Sequence, residues 1–171
     1  VGVITNISYA HAKNFKNLKQ IALAKSEIMN NIVSGGSIIL NADDKFYKFH
    51  QKIALKKKLK VYSFSINKKN ATVRLNSIKK EKTKFKATIN INNQKKHFFI
   101  SSNFENNLKN LLAAIAVISI FKDIKTLNKN IFYNYQIPYG RGDLSKIKIN
   151  RKNILLIDES YNSNPLSLKS S

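Results

Sequence analysis

Cysteine is absent from the 171 residues. That excludes a disulfide framework, a zinc–thiolate site and a thiol nucleophile, and it fits a reducing cytoplasm. No apolar run approaches the ~20 residues needed to cross a membrane. No secretory signal pattern opens the chain. No Gly-x-x-Gly-Lys-Thr/Ser segment occurs, so these residues hold no phosphate-binding loop of that kind. Acidic side chains are scarce: 9 against 31 lysines and arginines, a net charge of +22. Arginine is scarce too, at Arg74, Arg141 and Arg151 only.

That last scarcity bears on what the charge means. A strongly basic chain invites a nucleic-acid partner. Arginine, however, is the usual reader of bases and phosphates. The lysines are scattered, in runs no longer than Lys56-Lys57-Lys58. Asparagine and isoleucine are abundant as well, and their codons, like those of lysine, are AT-rich. Compositional bias explains the charge better than a polyanion partner does, and no nucleic acid is expected. A small basic nucleic-acid-binding protein stays as the rival from another class.

Hydrophobic periodicity divides the chain in two ways. Residues 1–7 read as a buried strand and 17–32 as an amphipathic helix, with Leu18, Ile21, Ala22, Ile28, Met29 and Ile32 on one face. Lys25 falls within that face, where an ammonium is costly unless paired, neutral or snorkelling. Gly35-Gly36 closes the helix. A second strand, Ser37 to Leu40, ends in Asn41-Ala42-Asp43-Asp44, where Asp43 or Asp44 is placed to cap a helix reaching Lys58. Val61 to Ile66 is a third strand. Strand and helix alternate at lengths that predict a parallel-sheet α/β unit.

The period then changes. Ala71 to Ile78, Lys84 to Ile91 and Lys95 to Ser101 alternate apolar and polar residues, with a turn at Asn92-Asn93. They predict a small antiparallel insertion. Asn107 to Phe121 is apolar around most of its circumference, a helix buried in a larger body. A shorter helix is expected over Ile124 to Phe132. Pro138, Gly140 and Gly142 then break the pattern before a strand pair, Leu144–Ile149 and Asn153–Ile157. The expected domains are 1–137 and 138–171. Val1 lies inside a strand-like run and Leu166 to Ser171 resembles a helix in its first turn, so both ends are expected to be cuts in a longer protein.

Few residues stand out chemically. His11 is placed in a loop at the carboxyl end of a strand, where open α/β sheets bind ligands. Asn107 and Asn110 lie near a helix start and suit capping. Arg141 follows a glycine, and a guanidinium suits a phosphate fork. Asp158-Glu159 ends a strand. Tyr161, Asn162, Asn164 and Pro165 read as a strand-to-helix turn, with Asn164 as N-cap.

Taken together, four segments resemble the Mur ligase family in order and spacing. They are Thr5-Asn6-Ile7 through His11 with Ala24-Lys25-x-Glu27-Ile28; Leu40-Asn41-Ala42-Asp43-Asp44; Gly140-Arg141; and Asp158-Glu159-Ser160-Tyr161-Asn162-Ser163-Asn164-Pro165. The last is most similar to the branch that joins D-alanyl-D-alanine to UDP-N-acetylmuramoyl-tripeptide in peptidoglycan precursor synthesis. The resemblance implies a Rossmann-like ATPase central domain with an antiparallel insertion, followed by the first strands of an α/β C-terminal domain. It implies a cytoplasmic, monomeric ATP-dependent ligase that uses Mg2+ and an acyl-phosphate intermediate, serving cell-wall biogenesis, cell shape and division.

Residue roles follow from the same resemblance. His11 is implied as a magnesium ligand, and Lys25 as a catalytic lysine that becomes a metal ligand when carbamoylated. Asn107 and Asn110 are implied to face adenine, although Asn106 stands where the family usually has histidine. Arg141 is implied to contact nucleotide, and Asp158 or Glu159 the ribose hydroxyls. Asn6, Asn41, Asp43, Tyr161, Asn162 and Asn164 complete the family's signature. A sister ligase adding an earlier residue, or a folylpolyglutamate synthase relative, is the alternative within the class. A catalytically dead remnant is the third.

Overall fold

The computed structural model describes residues 1–9, 15–101, 105–135, 140, 143–158 and 160–161. The chain divides into two compact units, Val1–Asn134 and Tyr135–Ser171.

The first unit is built on a six-stranded sheet in the order β1 (Gly2–Ile4), β2 (Ser37–Asn41), β3 (Lys60–Ser65), β4 (Val73–Glu81), β5 (Lys84–Ile91) and β6 (Gln94–Ile100). β1, β2 and β3 pair in parallel, and β3 meets the start of β4 in parallel through Phe64↔Val73 and Ser65↔Arg74. β4, β5 and β6 form the antiparallel meander that the alternating pattern predicts. It is not a separate small sheet; it continues the parallel one. The β5–β6 turn is Asn92-Asn93, both in left-handed backbone (φ 49° and 68°), as a two-residue hairpin favours.

Helices cover both faces. α1 (Leu18–Ser26) and α2 (Tyr47–Lys56) pack on one, where Ile21, Ala22, Met29 and Ala54 meet Ile4, Ile38 and Leu40. α3 (Glu105–Phe121) packs on the other, where Leu112, Ile115 and Ala116 meet Ile39, Phe64, Ile89 and Phe98. The alternation of Ile38, Ile39 and Leu40 between the two cores is the period-2 signature of a strand buried on both faces. Each of these fully buried side chains contributes roughly 1.5–3 kcal/mol relative to exposure.

Four local expectations need correction. The helix expected over 17–32 ends at Ser26 and continues as a 3-10 turn, Glu27–Asn31. The Ser26 hydroxyl donates to Leu23 O at 2.6 Å, a local bond that competes with the regular helix. Neither Asp43 nor Asp44 caps α2, whose N-cap position is Phe46 without a side-chain bond. The helix expected over 124–132 is only a 3-10 turn, Ile124–Thr126. There Asp123 caps the short turn through Lys125 N, and Asn128 accepts from Asn130 N, an N–H that a continuing helix would give to Thr126 O, each at 2.9 Å. Finally, the buried face of α1 takes Ser26 and not Lys25, which is exposed.

The second unit contains an antiparallel hairpin, β7 (Asp143–Ile149) and β8 (Lys152–Asp158), turned at Asn150-Arg151. Gly140, with φ +72°, lies before it and accepts from Tyr161 N at 2.9 Å. A Cβ on Gly140 would meet Tyr161 N at 2.8 Å, so only glycine fits without a shift. Among the described residues no helix is long and apolar enough to cross a membrane.

Candidate active site at the carboxyl edge of the parallel strands

β1, β2 and β3 run the same way, so their carboxyl ends line one edge of the sheet. The three segments leaving that edge are Thr5–Ile7, Asn41–Asp44 and Ser65–Lys68. Side chains lace them together. Asn41, 5% exposed, donates from Nδ2 to Thr5 O at 2.8 Å and accepts from Asp43 N at 2.9 Å. Asp43 reaches the far neighbour, accepting from Ser65 Oγ at 2.6 Å and Ile66 N at 2.7 Å. Ser65, fully buried, in turn accepts from Asn67 N and Lys68 N. Asp44 reaches the near neighbour, accepting from Ile7 N at 2.8 Å, and closes its own turn on Phe46 N at 2.7 Å.

Lys25 joins this edge from the last turn of α1. Its Nζ donates to Asn6 O at 3.0 Å. The last turn of α1 therefore lies beside the segment that follows β1. The apolar surroundings that the sequence pattern offered as a reason for a neutral amine are absent, because the side chain stands in solvent. A charged-lysine donor to a backbone carbonyl explains its position without them.

The structure thus brings together Asn6, Lys25, Asn41 and Asp43. Asn107 and Asn110 are in the first turns of α3, three apart and so on one side of that helix, in the layer across the sheet from α1. Asp158 and Tyr161 belong to the second unit. Asp158 accepts from the Ser160 hydroxyl and from Ser160 N at 2.9 Å, and the two bonds, hydroxyl first, hold its carboxyl below the usual carboxylate range. An ionised carboxylate offers only acceptors. His11, Arg141, Glu159, Asn162 and Asn164 lie outside the described residues.

Among the described residues no three His, Asp or Glu side chains gather as a metal site. Asp43 and Asp44 point their oxygens at protein donors, one donor to each oxygen. The described residues therefore do not by themselves compose a magnesium site.

Three contributors escaped the sequence reading. Asp44 looked like a helix cap, Ser65 like an ordinary strand residue, and His50 was passed over. His50 is 2% exposed and its Nε2 lies 2.9 Å from Ala22 O, tying α2 to α1. Its spacing from Ala54 on α2 was a usable signal for burial.

An open parallel sheet whose strand ends carry a polar, partly buried lattice is the setting in which α/β proteins bind nucleotides. Residues 1–118 match the Mur ligase middle domain. The chain belongs to the Mur ligase family. One relative is a UDP-N-acetylmuramoyl-tripeptide–D-alanyl-D-alanine ligase of Rickettsia prowazekii, 30% identical over 99% of this chain and 37% of that protein. A protein of the same name from Buchnera aphidicola is 28% identical over 98% of this chain and 35% of its own length. Among solved structures, MurF from Acinetobacter baumannii superposes with a TM-score of 0.80 at 24% identity, over 98% of this chain and 35% of that one. MurF from Thermotoga maritima in complex with ADP gives 0.74 at 18% identity, over 98% and 37%. These structural likenesses show the fold. The chain spans little more than a third of the length of the relatives it matches.

Proposed function

We propose that these residues are the later part of the ATP-binding central domain, and the start of the C-terminal domain, of a ligase joining D-alanyl-D-alanine to UDP-N-acetylmuramoyl-tripeptide. The observation that carries this reading is the shared name of three relatives, matched over 95–99% of this chain. The family's middle domain and the carboxyl-edge lattice are consistent with it.

In this reading ATP and Mg2+ are the cofactors. When bound, the metal neutralises charge on the phosphates. His11 and a carbamoylated Lys25 would hold it, Asn107 and Asn110 would face the adenine, and Arg141 with Asp158 or Glu159 would hold phosphate and ribose. Asn41, Asp43 and the Asn6 carbonyl keep the strand ends in place around them. The tripeptide's terminal carboxylate oxygen attacks the γ-phosphorus of ATP, the bond from that phosphorus to the β-phosphate oxygen breaks, and ADP leaves an acyl phosphate behind. The amine of the dipeptide then attacks its carbonyl carbon, the C–O bond to phosphate breaks, and inorganic phosphate leaves. The enzyme works in the cytoplasm as a monomer.

The test is amine selectivity. The complete protein containing these residues, given UDP-N-acetylmuramoyl-tripeptide and MgATP, is expected to form an amide with D-alanyl-D-alanine. It is not expected to do so with D-glutamate or diaminopimelate. Product from a shorter UDP-N-acetylmuramoyl acceptor with D-glutamate or diaminopimelate, and none from the tripeptide with the dipeptide, would move the assignment to a sister ligase.

A further inference from the structure

The Asn6 carbonyl and the Ile7 N–H are the two ends of one peptide group, a rigid plane in which they point in opposite directions. Lys25 Nζ donates to the carbonyl at 3.0 Å, and Asp44 Oδ2 accepts from the N–H at 2.8 Å. One planar unit therefore stands between an ammonium from α1 and a carboxylate from the turn after β2. We propose that Asp44 is a positioning residue that sets the place of Lys25 through this peptide; the proposal rests on the ligase reading, in which Lys25 acts at the reaction centre.

The peptide couples the two side chains in both directions. Past Ile4 the chain leaves its strand ladder, and the Thr5–Ile7 segment is held by side chains: Thr5 O by Asn41, Asn6 O by Lys25 and Ile7 N by Asp44. The Asp44 bond is charge-assisted on the acceptor side and the Lys25 bond on the donor side, and such bonds are roughly twice as strong as neutral ones. The Asp44 bond also polarises the peptide, which strengthens the carbonyl as an acceptor for Lys25. Asp44 is itself fixed by its second bond, to Phe46 N. Ile7 is buried, so without Asp44 its N–H would have to turn toward another acceptor, rotating the plane and carrying the Asn6 carbonyl with it. Lys25 would lose its anchor without any change at Lys25.

Two measurements test this. In the 171-residue chain, Asp44→Asn is expected to speed amide exchange at Ile7 by about tenfold or more, and Lys25→Ala to speed it measurably as well. Unchanged Ile7 exchange in Asp44→Asn overturns the clamp, and this readout needs no ligase activity. In the complete protein, Asp44→Asn is expected to lower kcat about tenfold or more while the KM for the dipeptide stays near wild type. Its effect should be almost absent in a Lys25→Ala background. Leu112→Ala, destabilised in the other layer, keeps kcat near wild type while folded. Additive losses from Asp44→Asn and Lys25→Ala overturn the positioning role. A wild-type protein that forms no amide overturns the ligase reading instead, and the exchange result then stands alone.

Discussion

Lys25 is one residue with two readings, and substitution separates them. As an exposed side chain bonded to a carbonyl, it contributes little to folding. Lys25→Ala in the complete ligase is therefore expected to melt within ~0.5 kcal/mol of wild type and yet lose most of its turnover. Lys25→Arg should fail as badly, because a guanidinium cannot take a carbamate. Near-normal turnover by Lys25→Arg, measured as phosphate release, would leave Lys25 only an anchor for Asn6. Asp158 gives a second prediction. Its carboxyl is held low, first by the Ser160 hydroxyl and then by Ser160 N–H. A depressed carboxylate stabilises the fold above its unfolded-state pKa, and that contribution is lost as pH falls through the lower folded-state value. Ser160→Ala should raise the Asp158 midpoint toward the ordinary range in an NMR titration. An unmoved midpoint would show that the hydroxyl bond is not the cause. The sequence picked out Asn6, Lys25, Asn41 and Asp43 as residues, but not what they touch. Hydrogen bonds from Asp43 to Ser65, or from Asp44 to Ile7, join positions far apart in the chain, and no local period carries them.

Elements were more legible than contacts, for a physical reason. Burial against a sheet imposes a repeat on the chain, so β2, β5 and α3 announce themselves in hydrophobic order. Where polar side chains bond their own backbone, the repeat misleads. The apolar spacing of Ile124, Leu127, Ile131 and Phe132 suggests a helix, but Asn128 takes the Asn130 N–H that a continuing helix would use. Likewise, alternation in 73–100 specified antiparallel strands but not which sheet they join. That is decided by Val73 and Arg74 meeting Phe64 and Ser65. The α3 layer yields a prediction at this scale. Leu112 is fully buried between α3 and the sheet, so Leu112→Ala should cost about 3 kcal/mol in urea unfolding. Phe121, 68% exposed at the end of the same helix, should tolerate Phe121→Ala with a change below about 0.5 kcal/mol. Equal losses would mean that the α3 core is placed wrongly.

At the scale of the whole molecule, composition and architecture point different ways, and architecture decides. A charge of +22 invites a polyanion, yet some lysines are engaged within the protein: Lys86 bridges Glu81 at 3.9 Å, and Lys84 rests on the Phe99 face at 3.8 Å. The parallel strand ends with their lattice carry the functional reading; the charge does not. The 171 residues contain no phosphate-binding loop of the Gly-Lys-Thr/Ser kind. The most direct test measures inorganic phosphate in two preparations supplied with MgATP, UDP-N-acetylmuramoyl-tripeptide and D-alanyl-D-alanine. The complete protein containing these residues is expected to release phosphate in step with amide formation, and the 171-residue chain alone to release none above background. Turnover by the isolated chain, or phosphate without amide from the complete protein, would contradict the account.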